Sequence, residues 1–231
     1  MSKGRILVVD DEIYIVHILG FSLGMEGYEV ITALDGEQAL EKLKTEKPDL
    51  IVLDIMMPKL DGYEVCKSIK SNAATQHIPV ILLSAKGRNV DQKLGFDVGA
   101  DDYITKPFSP KEVVARVRAV LRRFDQPLTK EIVRIGDIVI DTAAMRMTVR
   151  NEQAVTTATE FRLIEFLASH PGRVYTRKSL LDAVWHDTAF VTPRIVDVYI
   201  RRLREKIERD PEKPRHIHTV RGAGYMFEVR K

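Results

Sequence analysis

Five residues scattered along the chain could together move a phosphoryl group: Asp10, Asp11, Asp54, Ser84 and Lys106. Asp54 ends the apolar run Leu50-Ile51-Val52-Leu53, and Asp10-Asp11-Glu12 ends Ile6-Leu7-Val8-Val9. The run Pro79-Val80-Ile81-Leu82-Leu83 delivers Ser84, and Tyr103-Ile104-Thr105 delivers Lys106 ahead of Pro107. Uninterrupted apolar runs suit strands buried on both faces of a parallel sheet. In an open doubly wound sheet the polar groups at the carboxyl ends of such strands converge on one crevice. Clustered carboxylates raise one another's pKa unless a cation neutralises them. Mg2+ suits the task, because it takes a few carboxylates and shares its shell with phosphate and water. Asp54 could then attack phosphorus as a carboxylate nucleophile. Lys106 and the metal would offset charge on the transferring oxygens, and Ser84 could donate a hydrogen bond to the product.

The elements that must position these residues follow from the hydrophobic pattern. Strands are expected near 5–9, 29–33, 49–53, 79–83 and 102–105, each followed by a helix, at the spacing of βα units. That makes an α/β unit with a five-stranded parallel, doubly wound, flavodoxin-like sheet. Its last helix should open at Ser109-Pro110, with proline at the first helical position, and run to about Arg123. Residues 1–123 form this unit, 124–131 a linker that breaks the periodicity, and 132–231 a second domain of α+β character. There, residues 132–156 alternate as short strands. Thr157-Ala158-Thr159-Glu160 is a capping box opening a helix, a second helix begins after Thr176, and a third follows Thr192-Pro193. Residues 217–229, around Arg221-Gly222-Ala223-Gly224, read as a hairpin. Three helices and a hairpin make a winged helix-turn-helix.

A chain of 231 residues is comfortable for two domains. No run approaches the roughly 18 apolar residues of a membrane helix and no signal segment is apparent, so no membrane partner is expected. One cysteine, Cys66, excludes an intrachain disulfide framework. A reduced, cytoplasmic location is expected. Residues 1–123 carry 17 Lys and Arg against 18 Asp and Glu, whereas residues 192–231 carry 11 against 6. The basic excess therefore sits at the C-terminal end, where double-stranded DNA is the expected partner.

On the third helix of the second domain, Val196, Ile200, Leu203 and Ile207 fall within about 60° of one another and form the stripe to be buried. Arg194, Val198 and Arg201 face the other way, flanked by Asp197 and Arg202. Arginine opposite a core stripe is what a major-groove helix needs, for guanine or for phosphate. Arg194 or Arg201 is expected to read base edges, and Arg202 and Arg204 to meet phosphate. Thr219, Arg221 and Tyr225 in the hairpin are further candidate contacts.

The phrases LVVDDE, DLIVLDIMMPKLDG, PVILLSAK and GADDYITKPF resemble the receiver domain of response regulators. TATEFRLIEFL, RIVDVYIRRLREKIE and TVRGAGYMFE resemble the winged-helix effector of the OmpR/PhoB family, and PFSPKEVVARVRAVLRR and HPGRVYTRKSLLDAVW lean toward its PhoB side. The resemblance covers nearly the whole chain. It implies a DNA-binding transcriptional regulator, not an enzyme, switched when a sensor histidine kinase phosphorylates Asp54. It also implies Mg2+ held by Asp10, Asp11, Asp54 and the Met56 backbone carbonyl, and a switch through Ser84 and Tyr103. Phosphorylated receivers should form a homodimer through Asp101, Asp102, Glu112, Arg116 and Arg118, with Asp102–Arg116 and Asp101–Arg118 pairs across the interface. Gln92 stands where relatives often place a basic partner of Glu112, unless Lys93 substitutes. Two copies should bind direct-repeat DNA, with Arg177, Trp185 and Tyr199 added to the contacts and Arg221 in the minor groove. Ile195 and Tyr199 depart from common family residues at DNA-facing positions. The loop 185–191 is where relatives meet RNA polymerase.

Two alternatives compete. Haloacid-dehalogenase-like phosphatases also use an aspartate nucleophile, but they resemble one another in a second acid two residues later, where this chain has Met56. A constitutive DNA-binding protein with an inactive receiver would not need Asp10, Asp11, Asp54, Ser84 and Lys106 together.

Overall fold

The computed structural model describes residues 3–85, 98–125, 132–185 and 192–229. The chain divides into two compact units, Met1–Arg122 and Arg123–Lys231. In the first, strands β1 (Arg5–Val9), β2 (Glu29–Ala33), β3 (Leu50–Asp54), β4 (Val80–Ala85) and β5 (Asp102–Lys106) form one sheet in the order β2-β1-β3-β4-β5. All neighbours run parallel. The apolar runs are strands for the expected reason: Ile6 to Val9 and Leu50 to Leu53 are fully buried, with helices available to both faces. Only the edge strand β2 is largely half-exposed or exposed.

Helices α1 (Ile13–Met25), α2 (Gly36–Glu46), α3 (Gly62–Ser71) and α4 (Pro110–Asp125) accompany the sheet. Asp35 caps α2 by accepting from Gln38 N at 2.8 Å. Asp61 and Glu64 form a reciprocal capping box on α3. Ser109 Oγ accepts from Glu112 N at the start of α4. Segment 86–97, where a helix after β4 was expected, lies outside the described residues. β4 runs two residues further than the sequence suggested, because Ser84 and Ala85 pair with Thr105 and Lys106.

Register brings the strand ends together. Val9 sits beside Leu53, Asp54 beside Leu83, and Ser84 beside Thr105. Gly62 is required here: a Cβ on it would lie 2.2 Å from the Asp54 carbonyl oxygen. Its absence lets α3 start directly against the end of β3, with Gly62 N donating to Ile55 O at 3.0 Å.

The second unit opens with an antiparallel meander of β6 (Ile132–Ile135), β7 (Ile138–Asp141), β8 (Arg146–Val149) and β9 (Glu152–Ala154). Helices α5 (Ala158–Ala168), α6 (Arg177–Trp185) and α7 (Ile195–Ile207) follow, with β10 (Val174–Tyr175), β11 (Ile217–Val220) and β12 (Gly224–Phe227) as a three-stranded sheet, β10-β12-β11. Phe161, Ile164, Leu167, Leu180, Trp185, Val196, Tyr199, Leu203 and Phe227 fill the core. Each such side chain contributes about 1.5–3 kcal/mol on burial. The stripe Val196, Ile200, Leu203 and Ile207 is buried as the helical period demanded.

β10 was not foreseen: two residues carry no periodic signal. It turns the expected hairpin into a sheet through Gly224, whose φ is +145° and whose Cβ would lie 2.0 Å from the Tyr175 carbonyl oxygen. Glu208, buried at the end of α7, accepts from the backbone of Arg215, His216 and Ile217 at 2.8–2.9 Å and turns the chain into β11.

Candidate phosphoryl-acceptor site and nucleic-acid face

At the carboxyl edge of the parallel sheet, Asp10, Asp11 and Asp54 each present a carboxylate oxygen, all within 4.8 Å of one another. Asp10 and Asp54 are buried and Asp11 is exposed. Lys106 Nζ reaches across from β5, 2.9 Å from Asp10 Oδ2 and 3.0 Å from Asp54 Oδ1, with Glu12 at 3.6 Å. Met56 N donates to Asp54 Oδ2 at 3.1 Å, and Glu12 N to Asp10 Oδ1 at 2.9 Å. Asp54 Oδ1 is buried and, although within ion-pairing distance of Lys106, accepts no hydrogen bond of proper geometry. Ser84 is buried and donates to the Ala85 carbonyl at 3.0 Å. The Lys106–Pro107 peptide is cis.

Electrostatics match the geometry. Burial pushes the Asp54 carboxyl above the ordinary range; Lys106 pulls it back, while Asp10 and Asp11 push it up again. Burial likewise raises Asp10, against the opposing bond from Lys106. Burial alone would lower Lys106, but its contacts with Asp10 and Asp54 prevail and hold it up. One ammonium thus serves three carboxylates, and negative charge is left in excess around Asp54 Oδ1, where Lys106 stands 3.0 Å away without proper hydrogen-bond geometry. Three hard oxygen donors and that orphaned oxygen fit a small divalent cation. When bound, Mg2+ would neutralise the acid cluster and the oxygens of an incoming phosphoryl group.

The second unit carries its charge differently. Arg194 and Arg221 are exposed, and Arg201 is exposed with an (i, i+4) pair to Glu205 at 3.0 Å. Arg177 Nε donates to Asp197 Oδ1 at 2.6 Å, and Tyr225 donates its hydroxyl to the same oxygen at 2.7 Å. Arg177 also bonds Tyr225 Oη at 3.2 Å and lies over its ring, 5.1 Å from the centroid. Burial and the bond to Asp197 push the Tyr225 phenol up to about 12. Arg204 donates twice to the Ile217 carbonyl and once to Thr219 Oγ1.

Both halves match known families. Residues 6–118 match the response regulator receiver domain, and residues 151–227 match the family described as transcriptional regulatory protein, C terminal. The alkaline phosphatase synthesis transcriptional regulatory protein PhoP of Bacillus subtilis is 48% identical over 241 residues, covering 100% of this chain and 99% of PhoP. The response regulator DrrB, an OmpR/PhoB homolog of Thermotoga maritima, is 37% identical over 99% of this chain and 100% of its own, with a TM-score of 0.52. A cysteine-to-serine mutant of RitR is 28% identical over 98% of this chain and 100% of its own, with a TM-score of 0.81.

The chain belongs to the OmpR/PhoB family of two-component response regulators. The family is one of transcriptional regulators, not enzymes, and its receiver and DNA-binding domains imply a histidine kinase and DNA as partners. Among the described residues, no helix of this response regulator is long and apolar enough to cross a membrane.

Several expectations for the regulator's contacts are corrected by its packing. Trp185 and Tyr199 are fully buried, edge to face at 5.1 Å between centroids, and Ile195 is buried with them. They build the core beneath the exposed side of α7 and offer no side-chain surface to a ligand there. Arg202 lies over the Tyr199 ring and 3.7 Å from buried Glu160, which Lys206 also meets. Arg202 and Arg204, both half-buried, are tied into the domain by these contacts and by the Ile217 carbonyl. Arg177 and Tyr225 are half-buried and buried, and hold each other through Asp197.

Several residues expected at the dimer interface pair within the single chain. Asp101 is fully buried and bound to Lys70 Nζ at 2.6 Å, while accepting from Val80 N at 3.0 Å. It has no surface from which to meet Arg118, which pairs with Glu26 at 2.8 Å. Asp102 and Arg116 do pair, at 3.2 Å, but inside one chain and buried. Glu112 is half-buried. Gln92, Lys93, loop residues 186–191 and linker residues 126–131 lie outside the described residues. The Tyr103 ring is buried. Lys70, Glu160 and Asp197 were not foreseen in these roles. Only the capping pattern flagged Glu160, and as a cap alone.

Proposed function

We propose that a sensor histidine kinase transfers its phosphoryl group to Asp54, with Asp10, Asp11, Asp54 and the Met56 carbonyl holding Mg2+. Lys106 stabilises the transferring oxygens, and Ser84 turns from the Ala85 carbonyl to the phosphoryl group. Added charge at that crevice reorganises the surface around Ser84 and Tyr103. Two phosphorylated copies then associate through the receiver and bind direct-repeat promoter DNA in the cytoplasm, where they meet RNA polymerase. Exposed Arg194 and Arg201 read the major groove and Arg221 the minor groove. The receiver occupies residues 1–123 and the effector 132–231. The observation that carries this reading is Asp54 itself, buried, lacking a hydrogen bond on Oδ1, and within reach of Lys106 and two further acids.

The donor must cover the mouth of the crevice. Helix α1 starts there, directly after Glu12, and exposes Tyr14, Ile18, Phe21 and Met25 at helical spacing. An apolar stripe of that kind suits a protein surface.

A duplex selected by the protein from a random pool provides the test. Treatment with a small-molecule acyl phosphate and Mg2+ should tighten binding of the wild type and leave Asp54→Asn unchanged. Equal tightening of both, or of neither, contradicts the reading.

A further inference from the structure

Asp197 is an acid on the face of α7 that the effector would turn toward a polyanion. Simple electrostatics makes it a defect there: a carboxylate repels phosphate, so its removal should strengthen binding to every sequence. Its contacts suggest a different role. A single oxygen, Oδ1, accepts both the Arg177 guanidinium from the first turn of α6 and the Tyr225 hydroxyl from β12. Arg177 closes the triangle on Tyr225. Three elements far apart in sequence therefore meet on one atom. Tyr225 pairs with Thr219 across the wing, and Thr219 is held from the other side by Arg204 of α7. The wing is thus fixed to α7 at both of its strands, through Arg204 on β11 and through Asp197 on β12.

We propose that Asp197 is a positioning residue for DNA reading, fixing α6, α7 and the wing in the mutual orientation that lets Arg201 and Arg221 engage one duplex together. The assignment rests on the effector reading given above. Charge-assisted hydrogen bonds are the stronger kind, and a wing that is oriented before binding need not be ordered during it. The acid's unfavourable field is accepted in return for that preorganisation. Arg177 and Tyr225 act through Asp197 and not as independent contacts.

The test compares Asp197→Ala, Asp197→Asn and Tyr225→Phe in the full chain. Each is titrated against a duplex selected by the wild type from a random pool and against an unrelated duplex, at two salt concentrations. Asp197→Ala should lower the ratio of specific to unrelated affinity about tenfold, the scale of losing one charge-assisted hydrogen bond, with preference relaxed at major-groove and minor-groove positions alike. Asp197→Asn, which keeps an acceptor for both partners, should recover most of the ratio. Tyr225→Phe should fall between them. A merely structural acid would weaken both duplexes in proportion.

Three results overturn the proposal. Tighter binding of both duplexes by Asp197→Ala and Asp197→Asn would make Asp197 a charge alone. Loss of preference at a single base pair would make it a direct reader. An unchanged ratio would give it no role. A wild type that selects no duplex instead refutes the effector reading, and an absorbance titration against Tyr225→Phe then still decides the network. Tyr225, faced by Arg177, Arg204 and Asp197, should ionise at lower pH in Asp197→Ala, and an unmoved titration overturns the network too.

Discussion

Two regions of this response regulator, the acid cluster at the receiver's strand ends and the ion-pair networks of the effector, use the same ingredients, acids beside bases, to opposite ends. In the receiver, one lysine faces three carboxylates, and Asp54 Oδ1 is buried without a hydrogen bond. In the effector, acids are saturated: Glu160 holds Arg202 and Lys206, Glu208 takes three backbone N–H groups, and Asp197 takes Arg177 and Tyr225. A site left electrically incomplete suits a cation and the phosphoryl transfer proposed above. A completed network fixes a shape and leaves exposed arginines at its edge. The sign of a mutation's effect on stability should therefore differ between the two.

The largest effects test the frame under each. Gly62→Ala pushes a Cβ into the Asp54 carbonyl, and Gly224→Ala pushes one into the Tyr175 carbonyl. Each should cost about 4 kcal/mol or more in its own unit. By two-transition thermal unfolding, Gly62→Ala should lower the receiver transition and abolish phosphorylation. Gly224→Ala should lower the effector transition and leave phosphorylation intact.

Removing an acid sharpens the contrast. Glu160→Ala leaves Arg202 and Lys206 without their buried partner and should destabilise the effector by about 3–5 kcal/mol. Asp54→Asn should do the reverse and stabilise the receiver as pH rises toward neutral. The sign follows from the raised folded-state pKa of Asp54. Such a group contributes stability below its unfolded pKa and loses it as pH rises through the folded pKa. The wild type loses that contribution as pH rises, and asparagine, which does not ionise, carries no such loss. Denaturant unfolding from pH 7 down should show the advantage shrinking toward pH 4.

A smaller effect separates neighbouring arginines. Arg201→Ala should cost about 1–3 kcal/mol in DNA binding and relax preference at one position, with little loss of stability. Arg202→Ala should instead lower effector stability, since its head group is held by Glu160 and Tyr199. Binding titrations across sequence and salt, paired with melting curves, distinguish the two.

What the chain disclosed in advance follows the same division. The cluster of acids and lysine was legible because parallel strands buried on both faces read as apolar runs, and their ends place Asp10, Asp54, Ser84 and Lys106 on one edge. The buried stripe of α7 was legible because helical periodicity reports the Cβ direction. That period says nothing of where a long side chain ends. Arg202 and Arg204 leave the helix on its outer side and fold back to Glu160 and Ile217. Asp101 finds its partner Lys70 thirty-one residues away, so a surface pairing looked open to it. Tyr199 and Trp185 were placed by family resemblance, which carries position and not packing.

The central claim is that Asp54 is the phosphoryl acceptor, and mass spectrometry tests it most directly. Wild type and Asp54→Asn are incubated with a small-molecule acyl phosphate and Mg2+, and the intact mass and the peptide bearing position 54 are measured. The wild type should carry a single phosphoryl group per chain, on that peptide, and Asp54→Asn should carry none. Phosphorylation undiminished in Asp54→Asn, or located on another peptide of the wild type, would contradict the account.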